Sequence, residues 1–298
     1  MNHSSLWSAV DVIFYPILKK IKKYKNIHRG DSCYIMGDGS SLKWFDLECF
    51  TDLITIAVHK VGIHKQFNIL NAHHLLMIDN FLTYPLMRAW GIPGVHDRDT
   101  KTLKSDSVRS LYREMIKENP KVNFIASITD YPALKPFHSN VTYVSNKFPG
   151  GLGNKLDYLK TMSGSLKAAV SFAIYMGFSK IYLIGFDYTF NPNGESHWYE
   201  KGKGFSINDR DLQKIFIDTA KEYADIITVT LDQKSRNLKY IRYEDLTGKA
   251  PYFRENHQLV KKAKYLDMLS RMAVGGNALD IFSITTHFHK EYLKKMEK

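Results

Sequence analysis

Short apolar runs alternate with amphipathic stretches along most of this chain. Ser32 to Met36 is one such run, and it passes directly into the turn Gly37-Asp38-Gly39-Ser40-Ser41, after which Ser40 to Phe50 reads as a turn and helix. A second run, Leu53 to Val58, ends at His59. A strand, a helix and a strand so closely spaced describe a parallel crossover unit. Further strands are expected at His74 to Ile78, Val122 to Ile125 and Val141 to Val144. Ser163 to Met176 is Ala-rich and reads as a buried helix, with Ser163 as N-cap and Gly177 as its stop. It feeds a strand at Lys180 to Ile184, and a helix over Asp209 to Tyr223 feeds a strand at Ile226 to Leu231. The alternation predicts an α/β fold with a doubly wound, mostly parallel, Rossmann-like sheet.

The flanks differ in character. Leu6 to Leu18 is apolar and aromatic, and Lys19-Lys20-Ile21-Lys22-Lys23-Tyr24-Lys25 follows it. This is the composition of an interfacial segment whose lysines meet anionic headgroups over residues 6–25. The alternative is a helix docked on the domain with its lysines in solvent, and Pro16 would kink either version. From Pro251 onward the chain is basic and helical, with a break at Gly275-Gly276. The expected division is an N-terminal basic segment, 1–29, a nucleotide-binding domain, 30–250, and a C-terminal helical lobe, 251–298.

Composition narrows the class. A chain of 298 residues that is 44% hydrophobic can bury a large core, so it is not a disordered protein. Its two cysteines, Cys33 and Cys49, form neither a disulfide framework nor a metal-ligand spacing, which suits a reducing, cytoplasmic compartment. No apolar run is long enough to span a bilayer, and no cleavable leader is evident, so attachment to the inner face of the membrane would be peripheral. The net charge of +12 calls for acidic partners: nucleic acid, anionic lipid or a phosphate-bearing substrate. No helix-turn-helix, zinc-finger or RNA-binding signature accompanies the basic runs, so nucleic acid is not expected.

Candidate chemistry follows from topology. In an open parallel sheet, ligands bind beyond the carboxyl ends of the strands. That rule gathers Gly37 to Ser41, His59, and Asp187 with Tyr188 at one rim. A glycine-rich turn there can converge backbone N–H groups on a phosphate, although a tight strand-to-helix corner explains the same glycines. Tyr188 opens a polar, aromatic loop that runs to Tyr199 and then turns basic and Gly-rich, the composition of a mobile lid. Within it, His197 is a candidate general base, against the alternative of a surface histidine packed on Trp198. His73-His74 makes a poor metal pair, because neighbours in a strand point to opposite faces.

Three motifs in order carry a resemblance: Gly37-Asp38-Gly39-Ser40-Ser41-Leu42, then Ser163-Gly164 leading to Ile184-Gly185-Phe186-Asp187-Tyr188, then His197-Trp198-Tyr199. Over residues 26 to 246 the chain resembles bacterial surface-glycan proteins with the DUF115 domain, related to family 42 sialyltransferases, a variant of the GT-A fold, and to motility accessory factors. The resemblance implies a glycosyltransferase using a nucleotide-sugar donor, favouring a CMP-activated, sialic-acid-like sugar. Donor contacts would come from Gly37, Asp38, Gly39, Ser40, Ser41, His59, Ser163, Gly164 and Asp187. Tyr188 would assist the leaving phosphate, and His197 would take the acceptor's proton. No metal or other cofactor is implied, since a CMP leaving group carries a single phosphate.

The chain departs from the family pattern at several positions, among them the absence of the arginine that precedes Thr-Ser-Gly in the sialyltransferases, with Lys160 the nearest cation. Asp38 stands where the family has Asn, Ser40 where it has Pro, and His59 where Asn is common. The acceptor would be a glycan or glycolipid of the bacterial surface, and a homo-oligomer stays open. The alternatives are a magnesium-dependent pyrophosphokinase, the activity that the resemblance to some DUF115 relatives implies, and a non-catalytic membrane-associated scaffold of glycan assembly.

Overall fold

The computed structural model describes residues 11–78, 98–137, 139–145, 148–152, 156, 164–191, 193–194, 197–203, 206–207, 214–232 and 234–270. Its centre is an eight-stranded sheet: β1 (Ser32–Met36), β2 (Ile54–Val58), β3 (Ala72–Met77), β4 (Asn123–Ser127), β5 (Val141–Val144), β6 (Lys180–Ile184), β7 (Asp225–Thr230) and β8 (Lys239–Arg242). The spatial order is β8-β7-β6-β1-β2-β3-β4-β5. Every neighbouring pair is parallel, with Met36 beside both Ala57 and Ile184 in register. The expected doubly wound sheet is therefore observed, and the first seven strands lie within a few residues of their predicted places.

Strands buried on both faces must be apolar at successive positions, and β1 illustrates this. Cys33 and Ile35 enter one core, and Tyr34 and Met36 the other. The first core is covered by α2 (Ser165–Met176) through Leu166, Ala169, Phe172 and Ala173, and by α3 (Lys214–Ala220) through Phe216 and Ile217. The second is covered by α1 (Arg98–Glu118), whose Val108, Leu111, Tyr112 and Met115 face inward. Gly177 ends α2 in the left-handed conformation, φ +92°, as expected of a helix stop. Residues 209–213 of the longer helix expected before β7 lie outside the described residues.

One expectation is corrected here, and one pair of alternatives is narrowed. Ser40 to Phe50 is not an α-helix but two 3-10 turns, Ser40–Lys43 and Leu47–Phe50. Asp46 interrupts the run, accepting from the Glu48 N–H at 3.2 Å and so capping the second turn. The N-terminal segment is docked over Leu18 to Tyr24. Pro16 sits in the first turn of a helix, Tyr15–Leu18, where a missing N–H costs nothing, and a turn at Phe14 separates this helix from the helical residues 11–13 before it. The chain continues as a 3-10 turn, Lys19–Tyr24, that buries Ile21 and Tyr24; the Tyr24 ring stands edge-on to His74, with centroids 4.9 Å apart. Val12, Ile13 and Tyr15 point outward.

The described part of the C-terminal region, 251–270, lies on the domain. Lys65 N–H donates to Leu259 O, Lys261 N–H to Ile63 O, and helix α4 (Ala263–Ser270) packs along α1 with ion pairs Lys262–Glu118 and Lys264–Glu114. Residues 271–298, including the expected break, lie outside the described residues.

Candidate functional site

The strand order reverses between β1 and β6: the chain winds outward from β1 to β5, returns to the far side of β1, and winds out again to β8. At such a switch the loops leaving adjacent strands diverge and open a crevice beyond their carboxyl ends. Here the two loops are Gly37–Ser41 and Gly185–Tyr188. Helix α2 begins at the same edge behind Gly164, an N-cap at φ +105° with no side-chain cap, so its positive end faces the crevice.

The two loops are locked together. Gly37 N–H donates to Ile184 O and Gly39 N–H to Gly185 O, both at 2.8 Å. A Cβ on Gly37 would lie 2.7 Å from Gly185 O, and one on Gly39 would lie 2.6 Å from both Gly185 O and Asp187 Oδ1. These glycines are thus required by the approach of one loop to the other. Asp187 is buried and accepts from Ser40 Oγ at 2.8 Å, Ser41 N–H at 2.8 Å and Ser41 Oγ at 2.5 Å. Burial pushes its carboxyl above the ordinary range, and the serine bonds only partly offset this. The paired hydroxyls expected to meet a ligand therefore serve Asp187.

Asp38, at the tip of the turn, is held from two sides. Its Oδ2 accepts from Lys60 N–H at 3.2 Å, and its main-chain carbonyl accepts from Trp198 N–H at 3.0 Å. Its Oδ1 is buried and has no partner. His59, at the end of β2, has a left-handed backbone, φ +48°, uncommon for a residue with a side chain and frequent at functional sites. The His59 Nε2 and Ser165 Oγ share a hydrogen bond of 2.7 Å, and His59 Nδ1 lies 3.2 Å from Tyr112 Oη. This joins β2, α1 and the start of α2.

His197 reaches the turn through an isolated antiparallel bridge to Gly39. Its Nδ1 is 2.8 Å from Glu200 Oε1, and its ring stacks on Tyr199 with centroids 4.9 Å apart and planes 10° from parallel. Trp198 instead turns into the core against His64, so the alternative of a histidine packed on Trp198 gives way to stacking on Tyr199. The imidazole is 46% exposed, whereas the Glu200 carboxylate is mostly buried. The partial loss of hydration opposes protonation, but the hydrogen bond and charge of Glu200, with the charge of Asp38, outweigh it and raise the imidazole above its usual range.

Buried Lys43 donates to the carbonyls of Glu200 and Gly202, Asn256 Nδ2 donates to Tyr199 O at 2.9 Å, and Gly202 N–H donates to Glu255 at 3.3 Å. The expected mobile lid is thus tied down over 197–203; residues 195–196 and 204–205 lie outside the described residues. Tyr188 is half-buried, edge-on to Phe186, and burial first, then Asp187, keeps its hydroxyl protonated. Ser163 lies outside the described residues. The remaining expected residues, Gly37, Asp38, Gly39, Ser40, Ser41, His59, Gly164, Asp187, Tyr188 and His197, all lie along this one edge.

Sequence reading missed Glu200, Lys60, Ser165 and Lys43. The His-x-x-Glu spacing was the available signal for Glu200. Two cavities among the described residues, of about 250 and 620 Å³, are lined by none of the expected residues; one lies under Asp11–Lys22 and the other near Asn26, Gly177 and Tyr223.

Fold and site together define a doubly wound α/β protein with a polar site at its switch point. No family model matches the chain, and no curated protein matches it in sequence. Among solved structures it is similar to the sialyltransferase CstII from Campylobacter jejuni in complex with the substrate analogue CMP-3FNeuAc, at 11% identity and a TM-score of 0.40, covering 81% of this chain and 99% of that one. A structure of the same sialyltransferase in complex with CMP gives 12% identity and a TM-score of 0.40, covering 81% and 98%. These are distant similarities of outline.

Proposed function

We propose that the chain is a glycosyltransferase that moves a sugar from a nucleotide donor, with a CMP-activated, sialic-acid-like sugar favoured, to a bacterial surface glycan or glycolipid. The observation that carries this reading is the His197–Glu200 pair, joined through Gly39 to the turn at the switch point. An acceptor hydroxyl attacks the anomeric carbon in line, and His197 Nε2 takes its proton as the new bond forms. The bond from the anomeric carbon to phosphate oxygen breaks, and the nucleotide leaves with the electron pair. Tyr188, held protonated, donates toward that phosphate, and the start of α2 at Gly164, with Ser163, offsets its charge. A carboxylate facing phosphate would be repulsive, so Asp38 serves the donor side through a hydroxyl and not through the phosphate. His59 and the Gly37–Ser41 turn shape the donor side. No metal is required for a leaving group with one phosphate.

The test is a thermal-shift panel of CMP, CDP, UDP, GDP and ATP, with and without magnesium. Stabilisation by CMP that ignores chelator supports the transferase. A response to ATP that needs magnesium supports a pyrophosphokinase, and no response to any nucleotide supports a scaffold. His197→Ala should abolish transfer with donor binding nearly intact, and unchanged turnover would remove its assigned role.

A further inference from the structure

The described histidines that touch carboxylates do so in two settings. His28 meets exposed Asp31 at 3.3 Å, a surface contact of small consequence. His197 meets Glu200, whose carboxylate is mostly buried, at 2.8 Å. A carboxylate can only accept, so this contact requires a proton on Nδ1 and leaves Nε2 as the basic nitrogen of the neutral ring. His197 is half exposed, its Nδ1 side is taken by Glu200, and one ring face is covered by Tyr199.

Glu200 is itself fixed by its surroundings. Its N–H donates to His197 O at 3.1 Å, closing the turn that places the two side chains together. Its carbonyl accepts from Lys43 Nζ, which projects from the 3-10 turn following the glycine loop. Lys43 is fully buried, and a lysine at that depth is retained only where its charge is answered; here two carbonyls and the charges of Glu255 and Glu200 answer it. The loop bearing the imidazole is thus bolted to the loop at the switch point.

We propose that Glu200 is the positioning residue of this site: its carboxylate holds His197 in the Nδ1–H tautomer, directing Nε2 to the proton of the attacking hydroxyl. The consequence for turnover rests on the transferase reading, but the tautomer and its cause do not. Asp38, Asp187 and Lys60 also act on the ring, the two carboxylates favouring its charged form and the lysine opposing it. Substituting Glu200 alone leaves these three in place, so the change it produces belongs to Glu200.

The experiment is nitrogen and proton NMR of the histidine rings in the full chain, with His197 assigned by the signal lost in His197→Gln. In the wild type, Nδ1 should carry the proton at high pH, and the ring should titrate above the ordinary value of about 6.5. In Glu200→Gln the midpoint should fall by about one pH unit, and Glu200→Asp should restore part of it. Thermal melts confirm that each variant is folded, and the tautomer of the wild type decides the question if Glu200→Gln is not. An Nε2–H tautomer in the wild type, or an unmoved midpoint in folded Glu200→Gln, would overturn the proposal.

Turnover of CMP-N-acetylneuraminate against pH provides the second readout. The acidic limb should move down with the NMR midpoint, and kcat should fall about tenfold or more while KM stays within about twofold. Absence of wild-type turnover with the expected NMR behaviour would count against the transferase reading and leave the role of Glu200 standing.

Discussion

His64 and His74 carry the same side chain as His197, yet they titrate in the opposite direction because each is sealed in a core. His64 is fully buried against Trp198, with Arg254 and Lys261 nearby, and its pKa falls to about 3. His74 lies between Tyr24 and Phe172 and falls likewise to about 3, burial again being the main cause. A folded pKa below the unfolded one means that stability is complete above about 6.5 and is lost as pH falls toward 3. From pH 7 to 5 each histidine should remove about 2 kcal/mol of unfolding free energy. His197 and Asp187, both raised, act in the opposite sense, so single variants are compared with the wild type. Urea melts at both pH values should show His64→Gln or His74→Gln losing about 2 kcal/mol less than the wild type over that interval; an equal loss would exclude burial of a neutral ring. The sequence permitted only part of this residue-scale reading. That His73-His74 makes a poor metal pair follows from the two-residue period of a strand, whereas the depth of His64 and Lys43 depends on segments more than a hundred residues away.

At the scale of elements, glycine plays two separable parts. Gly39 has an ordinary φ of −64°, but its missing Cβ makes room for Gly185 O and the Asp187 carboxylate. Gly248 has open space around it and a φ of +70° where the helix Tyr243–Thr247 ends. Gly39→Ala should therefore cost at least about 2 kcal/mol by overpacking and separate the two loops, abolishing nucleotide-induced thermal shifts. Gly248→Ala should cost about 1 kcal/mol through backbone strain and leave any such shift unchanged. Equal effects on the melting curves would show that the close loop contact is not what Gly39 provides. The same contrast explains which elements were legible. Central strands such as β1 and β6 are apolar on both faces and stand out as runs. β8, Lys-Tyr-Ile-Arg at the sheet edge, keeps only one partner and carries a charged residue on each face, so it offers no such run. The segment after Gly39 has the composition of a helix, and only its contacts with Asp187 and the cap at Asp46 make it two 3-10 turns. Helix α1 went unread although Val108, Leu111, Tyr112 and Met115 recur at helical spacing, because basic and acidic residues fill the positions between them.

For the whole molecule, the question is how a net charge of +12 and an outward apolar tip are used together. Val12, Ile13 and Tyr15 are 77%, 70% and 51% exposed, and Lys19, Lys20, Lys22 and Lys23 follow them on the surface. Neighbouring Phe14 lies against Tyr131, which follows the carboxyl end of β4, so this tip stands at the same edge of the sheet as the site. Among the described residues no helix is long and apolar enough to cross a membrane. The sequence offered an interfacial segment and a docked helix as alternatives, and the structure divides them along the chain: Leu18, Ile21 and Tyr24 dock, with Phe14 and Ile17 partly buried beside them, while Val12, Ile13, Tyr15 and the lysines remain outside. We therefore expect the tip to enter the headgroup region of an anionic bilayer, bringing a lipid-linked acceptor to the edge where His197 lies. Each apolar side chain removed from water contributes about 1.5–3 kcal/mol and each lysine near the surface about 1 kcal/mol. In vesicle sedimentation the protein should pellet with phosphatidylglycerol-containing vesicles and not with phosphatidylcholine alone. Added salt should weaken the association, as expected for screened lysines. Replacing Val12 and Ile13 together by Asp should weaken it at least about tenfold, with the melting temperature unchanged because neither side chain is buried. Association that ignores lipid charge, or that survives the double substitution, would show that the basic surface serves a soluble acidic partner.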